Sequence, residues 1–115
     1  EEVCQVERSR ADVLFNYDSA RLKADFNDSL DMAAEDFFSC PDLEITLIGY
    51  TDSRGSKRYN EALALRRSEA VAKYLMERGV PSNRIVKISR GIDGSRGLSE
   101  DEKRRVELYF GDHSN

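Results

Sequence analysis

The stretch "LEITLIGYTDSRGSKRYNEALALRRSEAVAKYLMERGVP", Leu43 to Pro81, decides the fold. Its first eight residues are largely apolar and rich in strand formers, as expected of a strand central in its sheet. A polar loop follows, and from about Ser56 the pattern changes to a helical period. With Asn60 set at zero and about 100° per residue, Leu63 falls near 300°, Tyr74 near 320°, Val71 near 20° and Leu75 near 60°. Gly79 is a natural left-handed terminator and Pro81 prevents continuation. One residue is out of character. Arg67 lies near 340°, in the middle of the apolar stripe, where a core contact is expected.

Working outward, "ADVLFNY" (11–17) reads as a strand with Val13 and Phe15 on one face. In "DSARLKADFNDSLDMAAEDFF" (18–38), Leu22, Phe26, Leu30, Ala33 and Phe37 recur at helical spacing, and Cys40-Pro41 breaks the pattern. "RIVKISR" (84–90) is a third strand. The glycine-rich "GIDGSRGLSEDEK" (91–103) is a loop, and "RRVELYF" (104–110) alternates Val106, Leu108 and Phe110 against Arg105, Glu107 and Tyr109 as a last strand. The order is β-α-β-α-β-β. It predicts an α/β (α+β) two-layer sandwich with both helices packed on a mixed four-stranded sheet.

The chain has 115 residues, 39% hydrophobic and 35% charged, which suits one globular domain with a well-solvated surface. A net charge of −4 argues against nucleic acid as a partner, because phosphate binding needs an excess of Lys and Arg. No apolar run reaches the roughly 20 residues of a membrane helix. The chain opens on "EEVCQVE" rather than Met, as expected of an excised or processed piece, so targeting signals do not place it.

Catalytic signatures are missing. There is neither a dinucleotide nor a phosphate-binding glycine loop, and the one histidine, His113, lies in the terminal segment. The chain is therefore read as a non-enzyme, with no cofactor and no metal. Cys4 and Cys40, the only two cysteines, do not have zinc-ligand spacing. They are either a disulfide in an oxidising compartment or two separate thiols.

A buried guanidinium keeps its proton and needs partners. Asp52 follows the apolar strand and precedes the helix that carries Arg67, so the two can approach. One outcome is a structural ion pair. The other is a site with one negative and one positive arm, suited to a zwitterion whose ammonium meets Asp52 and whose carboxylate meets Arg67. Spacing does not choose between them.

"VLFNYDSARLK", "IGYTDSRGSKRYNEALALRRSEAVAKYL", "GVPSNRI" and "RRVELYF" together resemble the C-terminal domain of outer-membrane protein A, the OmpA-like domain shared with the peptidoglycan-associated lipoprotein and the flagellar stator B protein. The resemblance covers residues 12–110 and leaves 1–11 as an N-terminal extension and 111–115 as a tail. It implies a periplasmic, non-enzymatic module that binds peptidoglycan through the diaminopimelate of the stem peptide. Such a module anchors a larger protein that is membrane-attached outside this segment; pairing with a second copy stays open. By position, Asp52 takes the ligand's ammonium and Arg67 its carboxylate. Tyr17 and Asp18 match backbone contacts to the ligand, while Thr51, Asn60 and Leu63 line or buttress the pocket. Arg105 matches a basic residue close by. Loss of either charged arm should abolish binding and spare the fold.

This sequence departs from the family pattern in having Tyr50 for a histidine, Ala64 for a serine, Asn16 for an aspartate, Lys103 for an asparagine, and a shorter loop from Gly91 to Lys103. None of these replaces Asp52 or Arg67. The alternative is a structural or protein-interaction domain in which Asp52 and Arg67 form only an internal ion pair.

Overall fold

The segment from Leu43 to Pro81 forms the strand-loop-helix unit on which the rest is assembled. In the computed structural model, which describes residues 10–92 and 97–112, the apolar run Leu43–Tyr50 is β2 and Lys57–Glu77 is α2. The other elements are β1 (Arg10–Leu14), α1 (Asn27–Ser39), β3 (Ile85–Gly91), a one-turn α3 (Glu100–Lys103) and β4 (Arg105–Asp112). The sheet order is β1-β4-β2-β3. β2 and β3 run parallel, as a helical crossover between them requires. β4 is antiparallel to both β1 and β2. This is the mixed four-stranded, two-layer architecture expected from the sequence.

Alternation along the strands turns one side of each toward the helices. Val13, Ile45, Leu47, Val106, Leu108 and Phe110 from the sheet meet Leu30, Phe37, Val71 and Leu75 from the helices in a single buried core. Ser56 caps α2, its side chain accepting from the Tyr59 N–H at 3.1 Å. The helix ends as Gly79 turns left-handed (φ 101°) and the Val80 N–H returns to the Leu75 carbonyl at 3.1 Å.

Two local expectations are corrected. The apolar repeat beginning at Leu22 does not start a helix there: a single 3-10 turn (Ala24–Phe26) precedes α1, and Leu22 and Phe26 pack against the core from outside it. The break lies at Lys23, whose extended backbone (φ −86°, ψ 140°) is not helical. Within the 91–103 loop, α3 forms on a complete capping box between Ser99 and Glu102. β1 and β4 extend to Arg10 and Asp112. Cys40 closes α1, buried, and is not a free thiol; Cys4 lies outside the described residues.

Candidate functional site

At the C-terminal end of β2, α2 lies unusually close to the sheet. A Cβ built on Gly49 would stand 2.1 Å from the Ala64 carbonyl oxygen, so only glycine permits this approach. One turn further along α2, Arg67 is thereby held over the end of β2. It is fully buried, with 0% exposure. Its partners are all main-chain carbonyls: Nε donates to Ser19 at 2.7 Å, one terminal nitrogen to Tyr50 at 2.9 Å, and the other to Asn16 at 3.0 Å. Asp18, the only non-glycine described residue with positive φ (53°), reverses the chain between Asn16 and Ser19. That reversal lets both carbonyls face one guanidinium. Arg67 thus ties the segment after β1 to the end of β2.

The internal Arg67–Asp52 ion pair, the alternative left open by the sequence, does not form. Asp52 is buried, and its carboxylate faces two other arginines. Arg54 donates from its side chain at 2.7 Å and from its backbone N–H at 3.1 Å, and Arg104 donates at 3.3 Å. Burial by itself would raise the Asp52 pKa. The bonds from Arg54 and Arg104 outweigh it and hold the carboxyl below its ordinary value, so Asp52 is ionised at neutral pH. The Arg67 pKa is lowered as well, but there the shift disfavours the charged form. Burial, reinforced by the nearby Arg104 charge, lowers its pKa to about 10, against the opposing pull of Asp52, Asp18 and Tyr59. It remains a cation at neutral pH. A guanidinium has five N–H donors, and the three carbonyl bonds leave one unused on each terminal nitrogen.

Asp52 and Arg67 line one cleft of about 140 Å³. That is well below the roughly 300–1,000 Å³ of sites that engulf a small molecule, and suits the end group of a longer ligand. Tyr17, Asp18, Thr51, Asn60 and Leu63 line the same cleft, so seven of the eight residues singled out from the sequence come together. Thr51 contributes a buried hydroxyl oxygen with no hydrogen-bond partner. Asn60 donates to the Arg54 carbonyl at 2.8 Å and so braces the loop. Tyr59 donates its hydroxyl to Asp18 and closes one wall.

Arg105 is the exception. It does not line the cleft; its Nε donates to Glu107 at 2.8 Å and its guanidinium stacks 3.8 Å from the centre of the Tyr50 ring. The basic residue that reaches the site is its neighbour Arg104, anchored to the Phe15 carbonyl at 3.0 Å. Because β4 begins at Arg105, strand alternation commits Arg105 to the side bearing Glu107, while Arg104 sits in the bend before the strand. Arg54, Gly55 and Tyr59 also line the cleft and were missed. The signal for Arg54 was its place two residues after Asp52, the spacing at which an aspartate side chain accepts from the backbone.

Residues 14–106 match the OmpA family. The chain is 38% identical over 89 residues to the peptidoglycan-associated lipoprotein of Rhizobium meliloti (strain 1021), covering 77% of this chain and 51% of that protein. It is 37% identical over 78 residues to outer membrane protein A of Serratia marcescens, covering 66% and 22%. The chain therefore spans about half, or less, of the length of these curated relatives. Among solved structures, the peptidoglycan-associated lipoprotein from Burkholderia pseudomallei superposes with a TM-score of 0.82 at 29% identity, over 90% of each chain. A periplasmic domain of Helicobacter pylori MotB, at 20% identity and a TM-score of 0.78, covers 96% of this chain and 81% of its own and shares the fold. With its own helices-on-sheet architecture and the family match over most of its length, this chain belongs to the OmpA family.

Proposed function

We propose that this domain binds cell-wall peptidoglycan non-covalently, by taking the diaminopimelate end of a stem peptide into the cleft between Asp52 and Arg67. The observation that carries the proposal is the state of Arg67. It is a buried cation with no carboxylate hydrogen-bonded to it among the described residues and an unused donor on each terminal nitrogen, and it lines a cleft that also holds an ionised aspartate. A ligand carboxylate completes that guanidinium with charge-assisted bonds, and the ligand ammonium is neutralised at Asp52. The Thr51 hydroxyl supplies a further buried polar group for the bound end. Tyr17, Asp18, Asn60 and Leu63 line the cleft around the bound end. No bond is made or broken.

The names of the relatives support this reading, since they include peptidoglycan-associated lipoproteins and an outer membrane protein. In it, the domain works in the periplasm and anchors a larger, membrane-attached envelope protein to the wall.

Ligand chemistry tests the proposal without disturbing the fold. A stem peptide ending in diaminopimelate carries both ammonium and carboxylate, whereas one ending in lysine carries ammonium alone. Lysine leaves Arg67 incomplete, and an unpaired buried charge costs more than the roughly 1–3 kcal/mol of a neutral polar group, so at least about tenfold discrimination is expected. Amidating the diaminopimelate carboxylate should weaken binding for the same reason. Calorimetric titration with the matched peptides measures both effects. Equal affinities for all three would show that Arg67 does not contact the ligand, and failure to sediment with diaminopimelate-containing sacculi would end the binding proposal altogether.

A further inference from the structure

Asp52 already carries a cation that belongs to the chain. Arg54 donates to Asp52 Oδ2 at 2.7 Å, lines the cleft, and lies 3.8 Å from the centre of the exposed Tyr17 ring. Arg104 reaches the same oxygen at 3.3 Å. The two arginines are not equivalent. The Arg104 side chain is 13% exposed and is also bonded to the Phe15 carbonyl, the Glu100 carbonyl and Asp101. The Arg54 side chain is 53% exposed, and among the described residues its guanidinium is held by Asp52 and the face of Tyr17, with a weaker attraction from Glu100. The backbone of Arg54 is pinned by its N–H to Asp52 Oδ1 and by its carbonyl from Asn60, so only the side chain is free to leave.

An ammonium bound for Asp52 finds Arg54 already paired there. Asp52 Oδ1 is occupied by the Arg54 N–H and Oδ2 by both guanidinia, and a third cation beside them is repelled. We infer that Arg54 is a resident counter-cation that competes with the ligand ammonium for Asp52, and so sets the affinity of the cleft for ammonium groups. The inference rests on Asp52 receiving an ammonium. Its consequence is a common penalty on every ligand cation. Any cation that binds must first displace Arg54, and a ligand that brings only an ammonium replaces one ion pair by another with little return. A ligand that also brings a carboxylate gains Arg67 as well. Arg54 therefore raises the threshold for simple amines and zwitterions alike, and the contact with Arg67 keeps the site open to zwitterions.

The test titrates the 115-residue chain and its Arg54→Ala variant with two probes. One is the stem peptide ending in free diaminopimelate; the other is the same peptide acetylated on the distal amine, which keeps the carboxylate and loses the cation. Arg54→Ala should bind the free peptide about two- to fivefold more tightly, the factor that corresponds to a half-exposed ion pair. It should gain nothing toward the acetylated peptide, and Arg54→Lys, which restores a cation, should restore the wild-type affinity. Equal or weaker binding of the free peptide by Arg54→Ala overturns the inference, weaker binding identifying Arg54 as a ligand contact. An equal gain on both probes also overturns it, because the competition would not be for Asp52. If the wild-type chain binds neither probe, the Asp52 reading beneath the inference falls, and the inference with it.

Discussion

Replacing Arg67 by alanine should damage the fold as well as the site. From the sequence, the arginine was expected to serve the ligand alone, so that its loss would spare the structure. The geometry argues otherwise. The guanidinium is bonded to the Ser19, Tyr50 and Asn16 carbonyls, which come from two segments far apart in the chain. Hydrogen bonds to a charged group contribute about 1.5–3 kcal/mol each, and the gain is partly offset by the cost of burying the cation. The cleft admits water to some of the abandoned carbonyls, so a net loss of about 3–5 kcal/mol is expected, the range found when a buried charged partner is removed. Against a total stability of about 5–15 kcal/mol, that is a large fraction. Asp52→Ala is the internal comparison. It leaves Arg54 solvated and Arg104 with three other acceptors, so about 1–2 kcal/mol should be lost. Urea unfolding followed by circular dichroism gives both values, and neither variant should sediment with sacculi. If Arg67→Ala lost less than about 1 kcal/mol, or no more than Asp52→Ala, the carbonyl cradle would not hold the loop and the reasoning would be wrong.

Asp52 has a lowered pKa, so the stability and binding it supports are complete above the ordinary carboxylate value of about 3.9 and disappear only as pH falls through the lower folded value. Sacculus retention should accordingly persist from pH 7 to about pH 4 and be absent at every pH in Asp52→Asn; a midpoint near pH 6 would assign the dependence to another group. Gly49→Ala should destabilise by about 1–3 kcal/mol and weaken peptide binding, because the new methyl meets the Ala64 carbonyl and forces α2 off the sheet. Thermal melting and titration check it, and an unchanged melting temperature would refute the close approach. Cys4 and Cys40 should be oxidised to each other in protein taken from an oxidising compartment, with roughly 3–4 kcal/mol of stabilisation in the chain-entropy account. Intact mass after alkylation without reductant reads the result directly, two alkylated thiols excluding the bond.

The strand-loop-helix unit was legible because it is written in periodicity. Alternation and apolar content place Ile45 and Leu47 in the core, and the 100° step puts Val71, Leu75 and Arg67 on one buried face of α2. A permanent charge within that face was enough to mark Arg67, and its neighbour in the chain order, Asp52, as the residues to watch. The family resemblance then brought in five further residues that line the same cleft: Tyr17, Asp18, Thr51, Asn60 and Leu63.

What answers each charge was decided only by the tertiary structure. Every residue has a carbonyl, so nothing in the sequence distinguishes those of Asn16, Ser19 and Tyr50 as the partners of Arg67. Whether Arg104 or Arg105 reaches Asp52 depends on where β4 begins, because a slip of one residue sends a side chain to the other face of a sheet. Long flexible cations such as Arg54 and Arg104 carry no periodic signal that fixes their destination. They go to Asp52 because the fold buries a carboxylate there, and a buried charge takes the counter-ions within reach.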